Sequence, residues 1–264
     1  MLCGAEFQHQ ERLPGKLCAC TDQPHRERPT LSSAFWSNGA HMTKAIVING
    51  SPRMDKGNTA ALLEPFMEGM RSAGANISLY YADKMRVHPC TCGHMACWNA
   101  HPGVCVFHDE MDKLLLELAS AELCVFGVPV YIQLPSAFQS VLNRMVPIID
   151  PTAAVFVEGR TRAKLRGEYA LKWTALVAVG GWWEKENLAL VDRIIAEFSA
   201  DAGLIYAGAV LRPHADALGS ERVTEDKKKE ILESVKQCGK DLVATGKMNP
   251  ELLEKISLPL IPWE

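Results

Sequence analysis

The sequence predicts an α/β protein built on a parallel, doubly wound sheet. Two observations carry this. Short runs of continuously apolar residues suit strands buried on both faces. Between them lie longer stretches whose apolar residues recur at helical spacing, the alternation expected of successive strand–helix–strand crossovers.

The elements follow in order. Ala45–Asn49 is the first strand, ended by Gly50. Asn58–Arg71 carries Leu62, Leu63, Phe66, Met67 and Met70 at helical spacing, with Gly74 closing the helix. Ile77–Tyr81 is the second strand. Asp109 is a good N-cap for a helix with Met111, Leu114, Leu115 and Leu118 on one side. Leu123–Val128 is the third strand, and Pro135 opens a helix bearing Phe138, Val141, Leu142 and Met145. Residues 150–170 read as an irregular, basic loop. Trp173–Val179 is the fourth strand, ended by Gly180 and Gly181. A helix over 187–202 is stopped by Gly203, and Leu204–Val210 is the fifth strand. Thr224–Thr245 is a last amphipathic helix. The tail 248–264 holds Pro250, Pro259 and Pro262 and is expected to lie across its own or a neighbouring subunit.

Residues 1–41 differ from the rest. Charges are scattered, prolines recur and no apolar period is visible. Gly39-Ala40-His41-Met42 resembles a cloning scar, with Met42 as a natural start. Segment 1–41 is therefore set outside the fold as a disordered extension or a cloning-derived stretch.

Composition narrows the function classes. The 264 residues are 48% apolar and 22% charged, ordinary for a globular chain. No window holds the roughly 18 consecutive apolar residues of a membrane helix. A net charge of −3 leaves no excess positive charge for a nucleic-acid backbone. Neither a nucleic acid nor a membrane is an expected partner. The nine cysteines are an odd number without a secretory leader, so reduced thiols in a cytoplasmic protein are the expectation.

In doubly wound sheets ligands bind beyond the carboxyl ends of the strands, at the switch point. The first such loop is Asn49-Gly50-Ser51-Pro52-Arg53-Met54-Asp55-Lys56-Gly57-Asn58-Thr59. Small residues allow close approach. Ser51, Asn58 and Thr59 offer side-chain donors, Arg53 and Lys56 offer positive charge, and the helix N-terminus adds free N–H groups. The combination suits a monophosphate. It has neither Walker A nor dinucleotide G-x-G-x-x-G spacing.

Ser51-Pro52-Arg53 followed by Gly57-Asn58-Thr59, directly after a first strand, resembles the flavodoxin-like NAD(P)H-dependent FMN reductases. The likeness continues through Gly127-Val128-Pro129-Val130-Tyr131, Pro135-Ser136 and Arg144. It implies a flavodoxin-like three-layer sandwich with sheet order 2-1-3-4-5 in the domain 42–246. It also implies that Ser51, Arg53, Lys56, Gly57, Asn58 and Thr59 hold the FMN phosphate. Pro129, Val130, Tyr131 and Ile132 would then line the isoalloxazine ring, together with Gly180, Gly181 and Trp182 after the fourth strand. The implied activity is hydride transfer from NAD(P)H through the flavin to a small acceptor: a quinone, free flavin, nitro compound or metal ion. No protein general acid or base is identifiable, since the flavin carries the chemistry. Assembly as a homodimer or homotetramer is implied as well. The Trp182-Trp183 pair and the apolar tail Leu258–Trp263 are the sequence's own hints of intersubunit surface.

Between the second strand and the next helix, Cys90, Cys92, Cys97 and Cys105 lie among His88, His94, His101 and His108. Soft ligands clustered in this way suit a metal or a [4Fe–4S] cluster. The segment resembles that of the iron–sulfur flavoproteins, which exchange electrons between a cluster and FMN. The alternative function is accordingly an iron–sulfur flavoprotein or flavodoxin-like electron carrier serving a protein partner. The intervals here depart from compact C-x2-C-x2-C spacing, and a redox-sensitive loop without a cluster is the competing reading.

Overall fold

The computed structural model describes residues 43–262, and the expectation for 1–41 lies outside them. A five-stranded parallel sheet forms the centre. Its strands are β1 (Lys44–Asn49), β2 (Asn76–Tyr81), β3 (Leu123–Val130), then β6 (Trp173–Gly180) and β7 (Ile205–Arg212). The spatial order is β2-β1-β3-β6-β7, which is 2-1-3-4-5 when only these five are counted.

Successive residues of a strand point to opposite faces, and the core splits accordingly. Ala45 and Val47 of β1 join one apolar cluster with α1 (Asn58–Ser72), α5 (Glu225–Thr245) and α6 (Pro250–Ser257). Ile46 and Ile48 join a second cluster with α2 (Glu110–Ser120), α3 (Ser136–Asn143) and α4 (Ala189–Asp201). Both faces of the central strands β1, β3 and β6 are therefore dry, the physical reason these strands read as nearly unbroken apolar runs.

Helices α1 and α5 meet backbone to backbone through two glycines. A Cβ on Gly69 would stand 1.8 Å from the Lys236 carbonyl oxygen, and one on Gly239 would stand 2.0 Å from that of Phe66. Gly69→Ala gains helix propensity but overpacks this seam. We expect it to lower stability by about 1–3 kcal/mol, measured by urea unfolding.

One expectation needs correction. Segment 150–170 is largely an antiparallel hairpin of β4 (Ile149–Val157) and β5 (Arg160–Leu165), not an irregular loop. A register shift between Asp150 and Val155 breaks the period-2 signal of β4. Its turn is Glu158-Gly159, with φ of 51° and 77°; both central residues are left-handed, as a two-residue hairpin turn requires. Arg160 and Arg162 on β5, with Arg193 on α4, pair with Glu197 of α4. Hydrogen bonds from Arg162, outweighing some desolvation, and from Arg160 and Arg193 hold the Glu197 carboxyl down at about 2. The tail packs on this chain. It begins with α6, and Ile256, Leu260 and Ile261 are buried in this chain's own core. Leu260 and Ile261 are thus used within the chain, whereas Leu258 is exposed; Trp263 lies outside the described residues.

Candidate functional site

The order β1-β3-β6 sets the carboxyl ends of three neighbouring strands side by side, about 4.8 Å apart. The loops after them are the ones singled out from sequence.

The loop after β1 is internally braced. Gly50 N–H donates to the Gly127 carbonyl across to β3 at 2.7 Å. The Asn49 side chain accepts from Ser51 N–H at 2.9 Å and donates to the Met54 carbonyl at 3.2 Å. The Ser51 hydroxyl accepts from Arg53 N–H at 3.2 Å. Met54 is left-handed, with φ of 50°, which turns the chain back toward the helix. Ser51, Gly57 and Thr59 are buried, whereas Arg53 and Lys56 are exposed with their charges free to reach a ligand.

Three features of this loop suit an anion. Among the described residues no side chain caps helix α1; its N-cap is Gly57, which leaves the N–H groups of its first turn available to an anion. A Cβ at Gly57 would come 2.7 Å from the Ser51 hydroxyl oxygen, so only glycine keeps the cradle open. The Thr59 hydroxyl, fully buried, has no hydrogen-bond partner among the described residues. An orphaned buried hydroxyl costs about 1–3 kcal/mol unless something meets it. Asn58 does not cap its own helix. Its side chain donates to Asp216 at 2.7 Å, tying the loop to the segment after β7.

The loops after β3 and β6 enclose a cavity of about 210 Å³. It brings together Val130, Tyr131, Ile132, Gly180, Gly181 and Trp182, with Gln133, Glu184, Asn187 and Leu188 completing the wall. Pro129 lies buried just beneath. Larger clefts exist, including one of about 930 Å³ between the β-hairpin and α4. That one is lined by the Arg160–Glu197 ion network, with no sheet carboxyl end opening into it. We therefore place the site at the smaller cavity and the β1 loop. Tyr131, Ile132 and Trp182 are exposed around its mouth.

Trp182 and Trp183 behave differently. Trp183 turns away from the mouth, stacks on His214 at 3.8 Å and donates to the Ile261 carbonyl at 3.2 Å. His214 has a left-handed backbone, with φ of 46°, and its Nδ1 is buried without a partner among the described residues. Burial, then the nearby Arg212 charge, lowers its pKa against the opposing pull of Asp216. Arg212 itself is fully buried, bonded to the Pro213 and Ile256 carbonyls; desolvation brings it down to about 10. The loop after β7, not singled out from sequence, thus braces both the phosphate-type cradle and the tail. Its only sequence signal was its position at a strand carboxyl end.

The cysteine segment is clamped at its base. Buried Arg144 donates to both carboxylate oxygens of Asp109 at 2.7 and 3.1 Å, to the His88 carbonyl at 2.8 Å and to the Phe107 carbonyl at 3.1 Å. His88 stacks on Phe107 at 4.2 Å, closing the loop. Burial alone would raise the Asp109 pKa, but Arg144 and the N–H groups of His88 and Met111 outweigh it and hold the carboxyl below its usual value. Further in, Arg166 donates to the Cys97 carbonyl and Trp98 to that of Val146. Cys97 is buried, Cys92 and Cys105 half-buried and Cys90 exposed; His94 and His101 point to solvent. Among the described residues no group of three or more such side chains is arranged to hold a metal ion.

Residues 43–214 match the family model described as NADPH-dependent FMN reductase. An iron-sulfur flavoprotein of Archaeoglobus fulgidus is 26% identical over 106 residues, 39% of this chain. The chain spans under half of that relative, 46% of its length. Among solved structures, an NAD(P)H:quinone oxidoreductase from Methanothermobacter marburgensis superposes with a TM-score of 0.57 at 15% identity, covering 76% of this chain and all of that one. An azoreductase from Bacillus anthracis gives 0.54 at 16% identity, covering 77% and 99%. Likeness at this identity concerns the fold.

Proposed function

Because the chain belongs to the NADPH-dependent FMN reductase family, we propose that it is an FMN-dependent oxidoreductase passing hydride from NAD(P)H to a small-molecule acceptor. The observation that carries the reading is the β1 cradle: a buried orphan hydroxyl, an uncapped helix N-terminus and a glycine whose Cβ would close it. Ser51, Gly57, Asn58 and Thr59 bind the FMN phosphate with neutral donors, while Arg53 and Lys56 balance its charge. Val130, Tyr131 and Ile132 face Gly180, Gly181 and Trp182 across a slot suited to a flat ring, with Pro129 stiffening its floor. Exposed backbone after Gly180 offers N–H groups to a pyrimidine edge.

When bound, FMN supplies the redox chemistry, hydride acceptance at N5 and electron release to the acceptor. The chain's contribution is to position and to shield. Asp216 orients Asn58 at the cradle, and the Asn49 bonds fix the loop's curvature. Tyr131 and Trp182 supply aromatic surface at the mouth, where a planar donor and then a planar acceptor can stack. Quinones and azo compounds, the acceptors in the names of the structural neighbours, have that shape.

Tyr131 at 57%, Ile132 at 94%, Trp182 at 67% and Phe156 at 76% leave much apolar surface exposed near the site and on the hairpin. Such exposed apolar surface, which a second copy of the chain could cover, supports the homodimer or homotetramer expected from sequence.

The test is an anaerobic visible spectrum of FMN-loaded protein before and after NADPH, and then NADH. Bleaching of the flavin bands by either donor supports the reductase. Flavin that stays oxidised, with iron found by metal analysis, would move the assignment to an electron carrier.

A further inference from the structure

The proposed chemistry uses the flat walls of the slot after β3 and β6 and leaves its polar wall without a role. Beside Gly180, Gly181 and Trp182 the cavity is lined by Gln133, Glu184 and Asn187. After Trp183 the chain makes one 3-10 turn, Lys185–Leu188, whose last side chain, Leu188, is fully buried. A Cβ on Gly180 would stand 3.4 Å from Leu188 Cδ2, so the turn is rooted against the strand end it follows. The segment before the turn is fixed as well. The Trp182 carbonyl accepts from His214 N–H, and Trp183 donates to the Ile261 carbonyl at 3.2 Å. Glu184 lies between these two anchors.

Asn187 sets the direction of the Glu184 side chain. Its Nδ2 donates to the Glu184 backbone carbonyl at 3.3 Å and to carboxylate Oε2 at 3.0 Å. One amide thus ties the head group of Glu184 to its own backbone. Glu184 is the single charged residue among the described residues that line the cavity. The cations of neighbouring elements are engaged elsewhere. Lys185 pairs with Glu254 of α6 at 2.6 Å, and Lys227 of α5 donates to the Leu260 carbonyl at 3.3 Å. Arg53 and Lys56 belong to the β1 cradle and do not line this cavity. The facing wall of Val130, Tyr131, Ile132 and Gln133 carries no charge. The Glu184 carboxylate therefore sets the sign of the potential at the mouth.

Resting on the reductase reading, we infer that Glu184 determines the charge class of the acceptor. The site takes uncharged or cationic planar molecules and turns away planar anions such as sulfonated quinones. A fixed carboxylate raises the free energy of a bound anion and leaves a neutral molecule of the same shape untouched, so the discrimination comes from repulsion. Stacking against Tyr131 and Trp182 is common to both. A dinucleotide donor carries its phosphates beyond the ribose, not on the ring that enters the slot. Glu184 is exposed, so water and salt screen it, and the discrimination is modest and salt-dependent. Asn187 acts through Glu184 and is a positioning residue.

The test compares an anthraquinone sulfonate with a neutral hydroxymethyl anthraquinone. FMN-loaded full chain is first titrated with each oxidised quinone in the absence of any donor, read by quenching of tryptophan fluorescence. Values of kcat/KM for each are then measured with NADPH. Only the sulfonate-to-neutral ratio is read, so a general loss caused by a substitution cancels. In Glu184→Gln that ratio should rise about 3- to 10-fold in both assays, and in Glu184→Lys further. Glu184→Asp, which keeps the charge, should stay nearer the parent. Raising salt to about 1 M should lift the ratio in the parent and not in Glu184→Gln. A ratio that Glu184→Gln and Glu184→Lys both leave unchanged would overturn the inference, as would a parent ratio indifferent to salt, or a parent that binds neither quinone. Flavin that NADPH fails to bleach would instead defeat the reductase reading, while the donor-free titration still judges Glu184.

Discussion

Thr59→Val is expected to make the flavin-free protein more stable and the flavin-bound protein weaker. The hydroxyl removed is fully buried and has no partner among the described residues. Valine has nearly the same shape, so no cavity opens, and the cost of an unmet polar group, about 1–3 kcal/mol, is relieved. Under the proposed function the same hydroxyl meets a phosphate oxygen of bound FMN. A hydrogen bond to a charged group is worth about 1.5–3 kcal/mol, so the FMN dissociation constant should rise roughly 10- to 100-fold. Adding Arg53→Ala removes an exposed charge and should weaken retention further, with a stronger dependence on salt in the parent than in the variant. Fluorescence titration of apoprotein with FMN reads the affinity, and urea unfolding reads the stability. The crossed signs are the diagnostic. A Thr59→Val protein with unchanged flavin affinity would remove Thr59 from the cradle, whatever happened to its stability.

The second large effect is expected at Asp109. Its carboxylate receives two hydrogen bonds from buried Arg144, one from His88 N–H and one from Met111 N–H as the N-cap of α2. Asp109→Ala strands a guanidinium that is 0% exposed and uncaps a helix. Removing one partner of a buried pair costs about 3–5 kcal/mol, most of it the uncompensated charge. Urea unfolding should show that loss. Alkylation of Cys97 should accelerate in the same variant, because the clamp that closes the loop has gone. The pH dependence has a definite sign. The folded-state pKa of Asp109 is depressed, so its contribution is complete above the unfolded carboxylate value near 4 and disappears as pH falls below it. The stability advantage of the parent over Asp109→Asn, which cannot titrate, should therefore be full above about pH 4 and shrink as pH falls below it. Identical acid transitions in the two proteins would show that the clamp does not govern acid stability.

The sheet and the cradle were legible for one physical reason: both are written in local sequence. Parallel strands buried on two faces must be almost wholly apolar, and Ala45–Ile48, Leu123–Val128 and Ala175–Val179 are apolar throughout. A strand followed by small residues, donors and an uncapped helix start is likewise contained within Asn49–Thr59. The 149–165 hairpin was not legible, because a bulge erased its alternation and its turn used Glu158 where a left-handed Asn would have announced it. The two tryptophans could not be separated from sequence. One faces the cavity and the other braces His214 and the tail, and adjacent residues of a loop carry no period that says which.

By itself, then, the sequence determined the class of fold and the order of the five strands of the central sheet, and it singled out the loop proposed to hold a phosphate, since each depends on neighbours within a few residues. Only the tertiary structure decided what those elements are for. Arg144 reaches Asp109 across 35 residues and His88 across 56; Asn58 reaches Asp216 across 158. Contacts of that span are set by how the chain closes around its two cores. No local pattern records them, because the side chains involved are ordinary ones until burial removes the water that would otherwise satisfy them.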